Sequence, residues 1–373
     1  MSQSAVARIG TAALQNNFEQ VRRSAPGCRI MGVIKANAYG HGLLEIAEML
    51  ASADALAVSR IEEGVRLREA HIRQPIVVLS GGTDRRGLEL CMRYDLQVTV
   101  HSDLQVELIE ALPSAALRDD SRLSVWLKID TGMGRLGISP AATQGIVERL
   151  RTCSSVADDL RLMTHLSCAD DLGNSTTIDQ LRCFADVASD WDGDISIANS
   201  AGILGWPQTT RHGPDLKYAG ANWVRPGLML YGVSPFPDKS PAELGLQPVM
   251  SFEARLISIR SLQQGSRVGY GGDWIAPRDS VIGVVAAGYG DGYPWRLGGG
   301  TPVSVNGARA EIVGRISMDL ISVDLTDLPS VKEGDRVVLW GAQPGVADLA
   351  KRAGTSAYEL LTGVGERVHR QID

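Results

Sequence analysis

Over the first two thirds of this 373-residue chain, short apolar runs alternate with amphipathic stretches, and this alternation restricts the possible folds more than any other feature. The runs are Ile30 to Ile34, Ala55 to Ser59, Ile76 to Ser80, Leu96 to Val100, Leu123 to Ile129, Leu160 to His165, Ile195 to Ala198 and Trp223 to Arg225. Runs this short and this continuously apolar suit strands covered on both faces. Helix-compatible sequence separates them, as at Leu43 to Ser52 and Ile61 to Ala70. In the second of these, Ile61, Val65 and Leu67 make a partial apolar face, and Glu62, Glu63, Arg66 and Arg68 read as solvated. Eight strand candidates, most followed by a helix candidate, predict a closed α/β barrel of the TIM-like (β/α)8 type, with an open doubly wound sheet as the alternative.

The texture then changes. Pro235, Pro237, Pro241 and Pro248 crowd one stretch, which sets an expected boundary between residues 1–238 and residues 239–373. Beyond it, Ser251 to Arg260, Ser280 to Ala286, Thr301 to Val305, Ala308 to Val313 and Arg336 to Trp340 read as strands. Asn306-Gly307 between two of them is the usual sequence of a two-residue hairpin turn. Helical sequence returns at Val346 to Ala353, so the C-terminal domain is expected to be mainly β.

Composition narrows the function. With 37 Lys and Arg against 43 Asp and Glu, the formal charge is −6, which argues against nucleic acid or an anionic membrane as partner. No apolar run approaches the roughly 18 residues of a membrane span. The start, MSQSAVARIGTAAL, has no basic region leading into an apolar core; it reads as part of the folded protein, and a cytoplasmic location is expected. Cys28, Cys91, Cys153, Cys168 and Cys183 are too scattered for a zinc site and read as free thiols.

In such a barrel the chemistry lies just past the C-terminal strand ends. There the first strand delivers Lys35, within Val33 to Gly42. A partly desolvated ammonium favours Schiff-base chemistry, while the plainer alternative is a lysine snorkelling to the rim. The fifth strand leads into Lys128-Ile129-Asp130-Thr131-Gly132-Met133-Gly134-Arg135-Leu136-Gly137. Its G-x-G-x-x-G lies mid-series rather than in a first βαβ unit, which argues against a dinucleotide site and leaves Arg135 as an anion clamp or a surface arginine. His165 ends the sixth strand, Asn199-Ser200 follows the seventh, and Arg225-Pro226-Gly227 the eighth. Ser200 and the N–H groups after Arg225 are phosphate-donor candidates, and with a lysine at the first strand they point to pyridoxal phosphate. In the β region, Tyr270 and Tyr289 sit among glycines, either as turn residues or as phenols offered to a pocket.

At these residues the chain resembles the alanine racemases, nearly end to end. Val33 to Gly42, Lys128 to Gly137, Arg225 to Gly232, Gly288 to Gly292 and Val313 to Asp319 match that family in order. The resemblance implies a pyridoxal 5'-phosphate enzyme that interconverts L- and D-alanine by two bases, with D-alanine for peptidoglycan or alanine catabolism as its use. Lys35 would be the Schiff-base lysine and one base. Tyr270 would be the other, supplied across a head-to-tail homodimer. Tyr39, Ser200, Gly227, Leu228 and Tyr358 would hold the phosphate end of the cofactor, and Asn199 would be a further cofactor-binding residue. His165 would stand beside its ring, Arg225 at the pyridine nitrogen, and Arg135 at the cofactor oxygen and substrate carboxylate. Met318 of the partner would reach that carboxylate, and Tyr289 would line the entrance. Lys128 matches a position carbamylated in many members. Ser317 departs from the family pattern, in which cysteine is frequent, and removes no proposed catalytic group. A broader amino-acid racemase of this fold, a noncatalytic cofactor carrier and a metal-dependent barrel hydrolase are the competing assignments.

Overall fold

The structure, a computed structural model, describes residues 5–112, 122–210 and 220–373. A short strand, β1 (Val6–Ile9), precedes a helix at Thr11–Ser24. Eight strands follow: β2 (Arg29–Val33), β3 (Ala55–Val58), β4 (Ile76–Val78), β5 (Leu96–Val100), β6 (Val125–Lys128), β7 (Arg161–Met163), β8 (Ile195–Ser196) and β9 (Asn222–Val224). Each lies in, or within one residue of, a predicted run. They pair in parallel in chain order, and β9 returns to β2 with Ile30 opposite Val224, closing the barrel and excluding the open sheet. Every residue of β3 and β4 is buried, the pattern of strands covered inside by the barrel core and outside by helices. Burying one such Val or Ile side chain is worth roughly 1.5–3 kcal/mol, which is why the apolar runs decide the strand positions.

The second sheet contains β10 (Met250–Leu262), β13 (Ser280–Val285), β14 (Pro302–Val305), β15 (Ala308–Ile312), β16 (Ile321–Asp324), β17 (Arg336–Trp340) and β18 (His369–Ile372); β11 (Arg267–Val268) and β12 (Trp274–Ile275) form a separate ribbon. Asn306 and Gly307 take φ values of +50° and +87°, as the predicted hairpin turn requires. The sequence reading missed β11, β12, β16 and β18, and also the helix Ala357–Thr362. It also missed β1. That strand lies inside the 1–238 span but pairs with β10 (Val6 opposite Glu253) and β18, so it belongs to the second sheet. Its buried alternate residues, Ala7 and Ile9, are few, and a four-residue strand carries little pattern to read.

One helix face departs from the prediction. Glu63 does not point into solvent: its carboxylate accepts the backbone N–H groups of Ala36 (2.7 Å), Ser59 (3.0 Å) and Arg60 (3.1 Å). It stands at the third position of the helix Ile61–Glu69, from which a glutamate reaches back over the helix start. Arg68 is likewise engaged, donating to the carbonyl oxygens of Ile72 and Gln74, both at 2.7 Å.

Candidate active site

A cavity of about 570 Å³ opens at the C-terminal ends of the barrel strands. It is lined by Lys35, Tyr39, Lys128, Arg135, His165, Asn199, Ser200, Arg225, Gly227, Leu228 and Tyr358, so every barrel residue singled out in the sequence, and Tyr358 from the C-terminal region, meets there. Ser59, Ser80 and Asp170 add polar groups to the wall.

Lys35 begins an unusual turn. Ala36, Asn37, Ala38 and Tyr39 all have φ of 53–54°, the left-handed conformation that side-chain-bearing residues seldom adopt even singly. Such a turn persists only if its surroundings over-determine it. Glu63 takes the Ala36 N–H at its start, and the Asn37 side chain takes the N–H of Leu43 at 2.9 Å. At its end, Arg370 from β18 donates to the Gly40 carbonyl at 3.0 Å. Gly40 itself has φ of +81°, and a Cβ there would lie 2.0 Å from the Leu361 carbonyl oxygen, so the helix bearing Tyr358 rests directly on this turn. The Tyr39 ring stacks on Tyr231 at 4.6 Å and lies 5.9 Å from Tyr358.

The cavity collects basic groups. Burial lowers the Lys35 pKa, and the nearby Arg135 lowers it further against an opposing pull from Glu63. Lys128, at the end of β6, is buried; burial first, then Arg225 and Arg135, bring it down to about 8. Arg225, just past the end of β9, is buried, and it donates to Ser196 Oγ (2.5 Å), the Ile197 carbonyl (3.2 Å) and His165 Nδ1 (3.4 Å). A guanidinium only donates, so His165 Nδ1 carries no proton and the ring is neutral with its proton on Nε2. Burial, reinforced by Arg225, Lys128, Arg135 and Lys35, holds the His165 pKa well below its ordinary range. Burial also lowers Arg225 to about 10, which leaves it charged near neutrality.

Two loops present the remaining groups. The carboxylate of Asp130 accepts the N–H groups of Gly132 (3.0 Å), Met133 (2.9 Å) and Gly134 (3.1 Å), folding the loop that carries Arg135 back over the barrel mouth. At Gly137, with φ of +143°, a Cβ would meet the Asp130 nitrogen at 2.5 Å, so the glycine run makes a tight return turn against the strand end. Opposite it, Ser200 Oγ accepts the N–H groups of Gly227 (3.0 Å) and Met229 (3.3 Å). A Cβ at Gly227 would come within 2.5 Å of the Tyr39 hydroxyl. Tyr39, Ser200 and the Gly227 backbone therefore converge on one small region. The Asn199 side chain is spent on structure, accepting the Gly202 N–H at 3.0 Å and donating to the Leu166 carbonyl at 3.3 Å.

Tyr270, Tyr289 and Met318 lie outside this cavity. They stand on the β domain, 71%, 43% and 53% exposed. The loops bearing the last two are joined by hydrogen bonds from Tyr289 N to Ser317 O (3.1 Å) and from Gly290 N to Met318 O (2.8 Å), and Arg367 ties Asp291 to Asp319 across them. The Tyr270 turn abuts the same segment through the Arg315–Asp273 ion pair. The three residues thus share one exposed ledge.

Glu63, Tyr231 and Ser196 support the site without having been found in the sequence. Only Glu63 carried a signal: its place in the first turn of a helix that follows a strand end.

Comparison with known proteins agrees with this arrangement. Residues 9–235 match the family described as alanine racemase, N-terminal domain, and residues 249–372 the alanine racemase C-terminal domain. The alanine racemases of Vibrio atlanticus and Vibrio cholerae are each 44% identical over 365 residues, 98% of this chain and 98% and 97% of theirs. Among solved structures, a biosynthetic alanine racemase from Pseudomonas aeruginosa superposes with a TM-score of 0.89 at 41% identity, covering both chains completely. An alanine racemase from Bartonella henselae with covalently bound pyridoxal phosphate gives 0.84 at 28% identity. Similarity at this level runs through the barrel, the β domain and the junction between them, and on that basis the chain belongs to the alanine racemase family of isomerases.

Proposed function

We propose that the chain racemises alanine with pyridoxal 5'-phosphate in the barrel cavity, using Lys35 of one subunit and the partner subunit's Tyr270 as its two bases. The carrying observation is the division of groups. The cavity holds Lys35 among cations, while Tyr270, Tyr289 and Met318 stand together on a ledge that does not reach it within one chain. A head-to-tail homodimer brings the ledge of each chain over the cavity of the other. The family-model spans leave a gap at 236–248, in accord with a domain boundary at 238/239, although β1 crosses back to the second sheet.

The donor set fits the cofactor. Lys35 supplies an amine for its aldehyde; Tyr39, Ser200 and the backbone at Gly227 and Leu228 supply hydrogen-bonding groups for a phosphate; and Arg225 supplies a donor for the ring nitrogen that is charged near neutrality. When bound, pyridoxal phosphate makes the Cα–H bond of its amino acid acidic enough to be broken. The chain's own residues do the rest. Burial, with Arg135 nearby, favours the neutral form of the Lys35 amine, the form able to take that proton on one face. The partner subunit's Tyr270 serves the opposite face. Arg135 pairs with the substrate carboxylate, and the partner subunit's Met318 and Tyr289 close the mouth against water. Tyr358 and its neighbours limit the side chain to one the size of a methyl group. Either proton can be the one removed, so D-alanine supply and alanine breakdown are both open to this geometry.

With a pKa near 8, Lys128 has enough neutral amine to add carbon dioxide, which forms an N–C bond and releases one proton. The resulting carbamate is an anion placed to hold Arg135. The five free thiols accord with a reducing, cytoplasmic setting.

Mixing two inactive variants tests the shared site. When Lys35→Ala and Tyr270→Phe chains exchange subunits, each mixed dimer has one doubly damaged site and one intact site. Activity should recover to about one quarter of the wild-type value, since about half of the dimers are mixed. If both bases came from the same chain, no site would be intact and nothing would recover.

A further inference from the structure

The segment Val33 to Gly42 brings Lys35 and Tyr39 to the cavity, and its last residue but one is a histidine that plays no part in the chemistry above. His41 is fully buried and does not line the cavity. Its Nδ1 lies 3.1 Å from the carbonyl oxygen of Ala38 and 2.9 Å from that of Tyr39. Both partners can only accept, so Nδ1 bears the proton. The other ring nitrogen, Nε2, is buried with no hydrogen-bond partner among the described residues. A protonated ring would put an N–H there with nothing to receive it, so the imidazole is neutral. Burial, with Arg370 nearby, holds its pKa down at about 4 despite the hydrogen bonds to Tyr39 and Ala38.

The two carbonyls it holds belong to the left-handed turn, in which Ala38 and Tyr39 both have φ of 53°. The ring also packs on Tyr231 with centroids 4.5 Å apart. Tyr231 in turn stacks on Tyr39 at 4.6 Å and donates its hydroxyl to the Val33 carbonyl at 3.0 Å. His41 therefore reaches Tyr39 twice, once through its main chain and once through the stack. Glu63 secures the other end of the same turn at Ala36.

We propose that His41 is a positioning residue for racemisation: its Nδ1–H clamps the left-handed turn that aims the Lys35 amine and the Tyr39 hydroxyl into one cavity. This rests on the roles given above to Lys35 and Tyr39. A misplacement of about 1 Å in such groups is enough to cost about 10²-fold in rate, so a clamp outside the cavity can govern what happens within it.

The test compares holoenzymes of wild type, His41→Asn, His41→Leu and His41→Gln. Asparagine carries a side-chain N–H at the level of Nδ1, glutamine carries one at the level of the unpartnered Nε2, and leucine fills the space with no donor. The readouts are the rate at which the visible band of the bound cofactor is lost on dilution, and kcat and KM for L-alanine. H41N should stay within about threefold of wild type in all three. H41L and H41Q should release cofactor at least about tenfold faster and lose about 10- to 100-fold in kcat, with KM changed less than about threefold. A purely space-filling role predicts the reverse order, because asparagine leaves more volume empty than leucine, and that order would overturn the proposal. So would an H41L enzyme indistinguishable from wild type. If neither H41L nor H41Q folds, ¹⁵N spectra of the wild-type histidines decide. One ring must remain neutral with its proton on Nδ1 across the neutral pH range, and the absence of such a ring overturns the clamp. A wild-type protein that takes up no pyridoxal phosphate defeats the assignment of Lys35 itself; one that binds it normally while H41L matches it defeats only the clamp.

Discussion

The barrel cavity and the β-domain ledge, the two halves of the proposed site, stand under opposite physical conditions. In the cavity, Lys128 and Arg225 are buried, and loss of water brings their pKa values down to about 8 and about 10, with the neighbouring cations adding to the effect at Lys128. These groups need no partner chain to acquire unusual chemistry. On the ledge, Tyr270 is 71% exposed and faces solvent. A phenol so placed gains a desolvated, catalytic environment only when another surface covers it. In the proposed dimer the cavity is tuned by folding, then, and the ledge by assembly.

Changes at the two places should separate these contributions. The largest effect belongs to the cavity. Lys35→Ala should lower racemisation by about four orders of magnitude or more, seen as persistent rotation of L-alanine in a circular-dichroism assay, and should remove the borohydride-sensitive visible band. Retention of that band would place the covalent lysine elsewhere.

On the ledge, Tyr270→Phe should cost about 10²–10³-fold with the cofactor spectrum unchanged. The two alanine enantiomers have equal free energy, so kcat/KM must fall equally in both directions. The asymmetry should show instead in the isotope effect of α-deuterated substrate, large for one enantiomer and small for the other. Equal isotope effects would break the division of labour between cavity and ledge.

A smaller effect distinguishes the buried cations. The folded pKa of Lys128, about 8, lies below its ordinary value of 10.5, so the unfolded chain holds this proton more tightly between those values. In buffer free of carbon dioxide, where the amine carries no carbamate, stability of the cofactor-free protein should therefore rise with pH through that window. The contribution is on the order of 2 kcal/mol, complete above the unfolded pKa and lost as pH falls through the folded one. Urea midpoints at a series of pH values should show this rise in wild type and not in Lys128→Met.

The smallest effect is at the edge of the ledge. Arg367→Met releases the tie between the Tyr289 and Met318 loops and should lower kcat/KM by less than about tenfold, mainly through KM, because Arg367 and Asp319 are exposed and the buried Asp291 keeps the Gly288 N–H. A loss as large as that of Tyr270→Phe would mean that the ledge is far less rigid than its hydrogen bonds imply.

The architecture was legible where burial imposes a pattern. The barrel strands are covered on both faces, so Ile76–Val78 or Leu96–Val100 stands out as an apolar run, and Asn306-Gly307 announces its turn. β1 and β18 were not legible. Each is four residues long, and β18 has exposed residues at most positions, so membership of the sheet is decided by its neighbours. The same holds at the site. Lys35, Arg135, His165 and Arg225 follow from the rule that chemistry sits beyond strand ends, and their roles from the family resemblance. Glu63 looked like one more charge on a solvated helix face, because nothing local shows that its carboxylate turns back onto the N–H groups of Ala36 and Ser59.

By itself, then, the sequence determined the eight apolar barrel strands, the mainly β region after them and Lys35, Arg135, His165 and Arg225 at the strand ends, since hydrophobic periodicity and strand-end position are local properties; the resemblance supplied the rest of the cavity groups, and the return of β9 to β2 closed the barrel. Tertiary structure decided the rest: the left-handed turn of residues 36–39, the neutral state of His41 and His165, and the separation of Tyr270 from the cavity that its chemistry requires. Each of these depends on which atoms from distant segments come within hydrogen-bond reach or exclude water from one another, and chain spacing carries no record of that.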